Sequence, residues 1–320
     1  MQGGRLDGLR LIADVGGTNA RFAIAQNGAY SDLVHVEVAR YASLHDALAD
    51  YLAKLPPGKQ PSEAAIAVAG PVLGDHVALT NLGWPFSAKA LKESLKLASL
   101  KVFNDFAATA MAVPYLPDAD VFPVGPFNPD AKGPIGIIGP GTGLGVSSLV
   151  PHGEGWVMVA GEGGHVTLPA STKHEDELIA VLRTQWDHVS AERVLSGSGL
   201  VNLYQAVCTL EGKAPQPLAP MDVTAHAVAG SDPACVKAFA HFCALLGTVA
   251  GDLALTVGAR GGVYIAGGIL LRFKEAFAAS SFRERFESKG RFADYLRAIP
   301  TSLILEESPA LLGLAKAPLD

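Results

Sequence analysis

The sequence predicts an α/β protein of two related lobes, and three observations support it. Two glycine-rich segments, Leu11-Ile-Ala-Asp-Val-Gly-Gly-Thr-Asn-Ala-Arg-Phe-Ala-Ile24 and Ile135-Gly-Ile-Ile-Gly-Pro-Gly-Thr-Gly-Leu-Gly-Val-Ser-Ser-Leu149, share one plan: an apolar run, a Gly/Thr turn and a second apolar run. Strand and helix patterns alternate behind the first segment, which is the mark of α/β rather than all-α structure. Between the halves, residues 114–134 are rich in Pro, Gly and Asp, as a domain boundary is. The 320 residues suffice for two domains: a small one over 1–113, rejoined by 303–320, and a large one over 114–302.

Element by element, residues 9–15 and 21–26 read as strands around the first glycine turn, and 33–39 as a third. Residues 43–54 have helical periodicity and stop at Pro56-Pro57-Gly58. A compact apolar run at 63–69 reads as a strand, followed after Gly70-Pro71 by an expected partner strand at 72–79. Residues 87–97 form a helix capped by Ser87; 100–104 is a short strand, and 106–113 leaves it as a helix. The second half opens with its own hairpin and then turns mostly helical, over 174–186, 191–195, 200–210, 223–229 and 233–257. Residues 262–266 are a buried strand, 269–279 a helix, and 301–305 with 309–316 a last strand and helix. The only internal repetition is the pair of hairpins, which suggests duplicated lobes.

Composition narrows the function classes. The net charge of −6 argues against nucleic acid or an anionic membrane as the main partner. Cys208, Cys235 and Cys243 show neither a CxxC spacing nor an even count, so the simple expectation is a reducing cytoplasm with the thiols as small core residues. No basic-then-apolar signal pattern opens the chain. The most apolar stretch, 245–271, is broken by Asp252, Arg260 and Gly261-Gly262, against a membrane span.

Glycine lets a backbone adopt positive φ and approach a ligand closely, so each turn can present N–H groups as an anion nest. Two nests suit a polyphosphate gripped from two sides, in a nucleotide cleft between the lobes, with phosphoryl transfer as the leading chemistry. Neither segment is a P-loop, since no Gly-Lys-Ser/Thr follows, and neither has the dinucleotide GxGxxG spacing ahead of a helix. Asp14, just before Gly16-Gly17-Thr18, can hold Mg²⁺ directly or through water, or can simply bond its own turn. Arg21 can reach phosphate or pair on a strand edge. Asp105 closes a strand and opens a helix, where it serves either as an N-cap or as a base at the carboxyl end of a strand. Gly161-Glu162-Gly163-Gly164-His165 packs a carboxylate and an imidazole into a glycine-lined loop suited to a small polyhydroxylated ligand. Zinc at His165 lacks nearby cysteines. Glu192 lies in the first turn of a helix capped by Ser190, where the helix dipole alone would account for it.

With these residues in hand, the chain resembles the bacterial glucokinase family of the hexokinase/actin-like ATPase superfamily, in the branch lacking the zinc-binding cysteines of the ROK sugar kinases. The matching stretches run in order over nearly the whole chain: Asp14-Val-Gly-Gly-Thr-Asn-Ala-Arg21, Thr80-Asn81, Asn104-Asp105-Phe106, Gly141-Thr-Gly-Leu-Gly145, Gly161-Glu-Gly-Gly-His165, His188-Val-Ser-Ala-Glu-Arg-Val-Leu-Ser-Gly197, Gly199-Leu-Val-Asn-Leu-Tyr204, Gly261-Gly-Val-Tyr-Ile-Ala-Gly-Gly268 and Lys289-Gly-Arg-Phe292. Departures are small: Ala13 stands where glycine is usual and Ser198 where proline is common.

The resemblance implies a two-lobed actin-like ATPase (ribonuclease H-like) fold with an interdomain cleft that closes on sugar. It implies ATP-dependent phosphorylation of the glucose 6-hydroxyl, the first step of glycolysis, with Asp105 as general base. Asn104, Gly143, Glu162, His165 and Glu192 would then hydrogen-bond the other hydroxyls, most of them from the large domain. Ala13, Asp14, Val15, Gly16, Gly17, Thr18 and Thr142 would surround the ATP phosphates, Asp14 would hold Mg²⁺, and Gly267 and Gly268 would line the adenosine. A homodimer is the family expectation. Rival readings are a kinase for another hexose, a sugar-sensing regulator and a filament-forming ATPase. The regulator would need a DNA-binding basic helix that the residues before Asp14 do not supply. The filament would have no use for the Asn104-Asp105 and Glu162/His165 clusters.

Overall fold

The computed structural model describes residues 8–77, 84–126, 128 and 131–319. In chain order its elements are β1 (Arg10–Val15), β2 (Asn19–Gln26), β3 (Ala29–Glu37), α1 (Leu44–Ala53), β4 (Glu63–Val68), β5 (His76–Val77), β6 (Phe86–Ser87), α2 (Ala88–Ser94), β7 (Ser99–Asn104) and α3 (Asp105–Ala112). There follow β8 (Val121–Pro123), β9 (Ile135–Pro140), β10 (Leu144–His152), β11 (Gly155–Gly161), α4 (Lys173–Leu182), α5 (Gly197–Leu210), α6 (Pro220–Ala229) and α7 (Pro233–Val257). The chain ends through β12 (Val263–Ile265), α8 (Gly268–Leu271), α9 (Lys274–Ala278), α10 (Phe282–Glu287), α11 (Ala293–Arg297), β13 (Thr301–Ile304) and α12 (Pro309–Lys316). Two compact units result, one of residues 1–116 with 306–320, the other of residues 117–305.

The first unit is built on a five-stranded sheet of order β3-β2-β1-β4-β7. Its two glycine-turn strands pair antiparallel, while β1, β4 and β7 run parallel. Parallel strands buried on both faces need nearly continuous apolar sequence, and Leu11, Ile12, Ala13, Ala65, Ile66 and Ala67 are fully buried. The register places Val15 beside Val68 and Val68 beside Asn104, so the carboxyl ends of the three strands form one row. Helix α12 returns to this unit and packs on α3. At their crossing a Cβ on Gly313 would lie 1.8 Å from the Ala108 carbonyl oxygen, so only glycine allows the approach. The Arg10 guanidinium ties down the last turn of α12 by donating to the Leu314 and Ala317 carbonyls.

The second unit repeats the plan. Its sheet has the order β11-β10-β9-β12-β13-β8, in which β9, β10 and β11 form an antiparallel meander and β9, β12 and β13 run parallel. Strand for strand, β11-β10-β9-β12-β13 matches β3-β2-β1-β4-β7, so the repetition seen in the two hairpins extends to whole sheets. Helix α7 is long and apolar enough to cross a membrane by length and composition, yet it is mostly buried in this unit's core through Phe242, Leu246 and Ala250. Pro233 at its first turn and Gly258 at φ 64° just beyond it mark its ends.

The structure corrects several sequence expectations. The strand expected over 72–79 as a partner for 63–69 is not formed: β1 and β7 already occupy both edges of β4. Only His76–Val77 is extended there among the described residues, and it pairs with Phe86–Ser87. Residues 78–79 and the Thr80-Asn81 motif lie outside the described residues. The helix expected over 269–279 breaks between Leu271 and Lys274 into α8 and α9, and that expected over 174–186 stops at Leu182. The helix expected at 191–195 is a single 3₁₀ turn, Ala191–Arg193. Strand β11 was not anticipated, although Trp156, Val157 and Val159 between two glycines carry a strand signal.

One buried ion pair links three helices of the second unit. Glu175 on α4 receives Arg285 of α10 in a bidentate contact, at 2.6 and 3.1 Å, and the same guanidinium reaches Thr248 of α7 at 2.8 Å. Burial by itself would raise the Glu175 carboxyl; Arg285 and the Ser171 N–H outweigh it and hold the group below its ordinary 4.5. A depressed folded-state value means stability that is present above 4.5 and is lost as pH falls through the lowered value. Glu175→Gln should therefore cost about 3 kcal/mol at neutral pH, by urea denaturation. The gap to wild type should narrow on acidification below 4.5.

Candidate active site

In the first unit, Asp14 sits next to last on β1, directly opposite Arg21 of β2. Cross-strand neighbours of opposite charge attract, and Arg21 donates to the Asp14 carboxylate at 3.1 Å. Of the two readings left open for Arg21, pairing on the strand is the one formed. Its Nε is nonetheless buried without a hydrogen-bond partner. Burial pushes the Asp14 carboxyl up from its ordinary range, and the Arg21 charge opposes this. The turn after β1 is closed by the Gly16 N–H donating to the Asn19 carbonyl at 3.0 Å, with Gly17 and Thr18 exposed at its tip. Ala13 and Val15 direct their side chains into the core, so only their backbone is available to a ligand. A half-buried carboxylate beside a glycine turn fits magnesium, which is typically held by one or two carboxylates with phosphate and water oxygens completing its shell.

Two strands along the same sheet edge, β7 passes into α3 at Asn104-Asp105. The cap is Asn104: its Oδ1 accepts from the Phe106 and Ala107 N–H groups at 2.9 and 3.0 Å. Its Nδ2 donates to the Gly70 carbonyl at 3.2 Å, leaving one amide hydrogen for a ligand. Asp105 is thus the first residue of the helix and not its cap. One carboxylate oxygen accepts the Phe106 N–H at 2.8 Å, which orients the group at the positive end of α3.

The second unit gathers the other candidates. Gly141-Thr142-Gly143 turns the chain from β9 into β10, with the Gly141 N–H donating to the Gly143 carbonyl at 2.8 Å. Thr142 is exposed at the tip. Beside this turn, the chain leaves β12 through Gly267, whose φ of 103° suits glycine. A Cβ at Gly267 would lie 2.3 Å from the Pro140 carbonyl oxygen, so Gly267-Gly268 lies against the end of β9. The N-terminus of α5 closes the same corner, with the Gly197 N–H donating to the Gly141 carbonyl at 2.9 Å.

Glu192 and Gly143 meet directly. The Glu192 carboxylate accepts the Leu144 N–H at 2.8 Å, and a Cβ on Gly143 would fall 2.5 Å from its Oε2. Leu144 also receives the loop after β11: a Cβ on Gly164 would lie 2.1 Å from the Leu144 carbonyl oxygen. The glycines of this loop thus serve close packing on β10 as well as room for side chains. The loop forms a 3₁₀ turn, Gly163–His165, closed by the His165 N–H donating to the Glu162 carbonyl at 3.0 Å. Glu162 leads into this turn and His165 ends it, both exposed.

A short antiparallel ladder joins this loop to the Glu192 turn. Thr167 bridges Ser190, Ala191 donates to the Val166 carbonyl at 2.8 Å, and Leu168 donates to the Val189 carbonyl at 3.0 Å. Beyond Val166 and Ala191 the two segments leave the ladder, and the 3₁₀ turns that carry His165 and Glu192 lie in contact. Ser196, absent from the sequence reading, holds the turn by donating to the Glu192 carbonyl at 2.8 Å while capping α5 through the Gly199 N–H. Its signal was legible as a serine just ahead of a helical pattern.

A family profile described as Glucokinase matches residues 11–319. The chain is 65% identical over 318 residues to a glucokinase of Nitrobacter hamburgensis, covering 99% of each. It is 48% identical to a glucokinase of Chromobacterium violaceum, covering 96% of this chain and 88% of that one. It superposes with a TM-score of 0.89 on the crystal structure of a glucokinase from an Antarctic psychrotroph, 37% identical, covering 97% of this chain and 98% of the other. An α/β chain with the actin-like ATPase fold, matched by profile, sequence and structure over nearly its full length, belongs to the glucokinase family.

Proposed function

We propose that this protein transfers the γ-phosphoryl group of ATP to the 6-hydroxyl of glucose, with Asp105 as general base. The observation that carries the role of Asp105 is the row at the carboxyl ends of β1, β4 and β7. It sets Asp14 and Asp105 at one end of the sheet, about 10 Å apart across the strands and about 7 Å apart along them. That is a span on which phosphates and an attacking hydroxyl fit side by side. The Asp105 carboxylate, oriented by the Phe106 N–H, accepts the proton as the sugar oxygen attacks phosphorus. The new O–P bond forms as the bond to the β-phosphate oxygen breaks, and ADP leaves with that electron pair.

The remaining roles follow donor and acceptor chemistry. A sugar hydroxyl both donates and accepts, so the carboxylates of Glu162 and Glu192, the His165 imidazole and the spare Asn104 amide hydrogen suit the other hydroxyls. Gly143 keeps that surface open where a side chain would strike Glu192. The second unit carries most of these groups. Backbone N–H groups of the Ala13–Thr18 segment, with Thr142, hold the phosphates, and Gly267 and Gly268 line the adenosine. Asp14 would hold the magnesium ion of the nucleotide, which when bound neutralises phosphate charge.

The finer family assignment is the branch outside the ROK kinases, supported by three cysteines that are each buried in helices instead of gathered for zinc. The free thiols also support a reducing cytoplasm, and a homodimer is the assembly the resemblance implies.

A coupled assay of ATP-dependent phosphorylation over a hexose panel, with ATP hydrolysis followed in parallel, tests the reading. Glucose-selective 6-phosphate formation with little hydrolysis is expected; sugar-independent hydrolysis would overturn it. Asp105→Ala should lower kcat on the order of 10²- to 10⁴-fold while calorimetry still detects glucose binding. Near-normal turnover would remove Asp105 from the base role. Asp14→Asn should separate activity from stability: kcat falls by about tenfold or more. Its urea midpoint stays equal or rises, because a charge disfavoured by burial is gone. A lower midpoint with unchanged kcat would make Asp14 only a turn residue.

A further inference from the structure

The ladder between the loop of His165 and the turn of Glu192 contains a single bridge, Thr167 to Ser190. Ladders this short specify register weakly unless burial or side chains pin them. Leu168 and Val189, 3% and 4% exposed, anchor its inner end in the core. At the end nearer His165 only the strand of Glu192 is anchored by an apolar side chain: Ala191 is fully buried, whereas Val166 is 51% exposed. On the exposed side a second tie crosses the ladder: Thr167 Oγ1 lies 3.1 Å from His188 Nε2, within hydrogen-bond distance. His188 takes no part in the chemistry described above.

We propose that His188, acting through Thr167, is a positioning residue for sugar recognition that holds the turn of His165 beside the turn of Glu192. The inference rests on the reading of His165 and Glu192 as sugar-binding groups. A slip of one residue would move Thr167 along the ladder by about 3.3 Å and carry the turn of His165 with it. Hydrogen bonds tolerate a few tenths of an ångström, so two groups reading neighbouring hydroxyls would no longer reach one sugar. Both partners are exposed, so removing either leaves the apolar core intact while loosening the ladder.

The test is steady-state kinetics on the full-length enzyme, varying glucose and ATP separately, with a thermal melt of each variant. His188→Ala and Thr167→Ala should each raise the glucose KM about threefold to tenfold, the scale of one hydrogen bond, leaving the ATP KM and Tm unchanged. The double variant should be no worse than either single one. Thr167→Ser, which keeps the hydroxyl, should restore the glucose KM. If His188→Ala does not fold, Thr167→Ala and its serine rescue read the same pair. Glu192→Gln is measured alongside. If it raises the glucose KM while both alanine variants leave it unchanged, the positioning role is overturned and the sugar site stands. An unchanged KM in Glu192→Gln overturns the sugar site and the positioning role with it. An ATP KM or Tm that moves in step with the glucose KM makes the pair merely structural and overturns the proposal.

Discussion

The parallel register of β1, β4 and β7 is the constraint on which the first unit's chemistry depends. Three strands running the same way bring their carboxyl ends to one edge, and the row Val15, Val68 and Asn104 fixes what stands there. Asp14 precedes that row by one residue and Asp105 follows it by one. Arg21 and the Phe106 N–H orient the two carboxylates, while Ala13, Val15, Ala67 and Phe103, all buried, hold the strands that carry them. Burying a side chain of valine or phenylalanine size contributes roughly 1.5–3 kcal/mol. The returning helix α12 completes the support, since Gly313 lets it settle on the Ala108 carbonyl and steady α3 from behind.

In the second unit the corresponding constraint is backbone against backbone. Gly164 on the Leu144 carbonyl, Gly267 on the Pro140 carbonyl and Gly199 on Val194 are approaches that no side chain would permit. Glycine loses more conformational freedom on folding than any other residue, so each such contact needs an offsetting gain. Leu144 shows where it comes from. Its N–H is satisfied by Glu192, its carbonyl covers Gly164, and its side chain is buried in the core. One residue thereby ties the turn at Gly143, the loop of Glu162 and His165 and the turn of Glu192 into one assembly.

The two units share a strand order yet balance stability and function differently. The second rests on a thick helical layer around α7, braced by the Glu175–Arg285 pair, and can carry an exposed loop and a short ladder at its edge. The first keeps a desolvated carboxylate with a raised pKa at its sheet edge. A buried charge of that kind is poor for stability, and perturbed groups of that kind cluster at functional sites.

Sequence alone determined what is local. Both glycine hairpins are formed, and α7 and α12 begin and end where their prolines and Gly258 say, because turn chemistry and helix punctuation act over a few residues. The candidate residue types were legible for the same reason: a carboxylate beside a glycine turn is visible in any alphabet of side chains. Tertiary structure alone decided what depends on meetings between distant segments. Whether Asn104 or Asp105 caps α3 turned on the Gly70 carbonyl, which holds the Asn104 amide in place from 34 residues away. Whether 72–79 could pair with β4 turned on β1 and β7 having taken both of its edges. Glu192 against Gly143, and the turn of His165 against that of Glu192, are meetings between segments that no periodicity connects. Register across such gaps is set by packing and hydrogen bonding in three dimensions, and a linear pattern of hydrophobicity does not encode it.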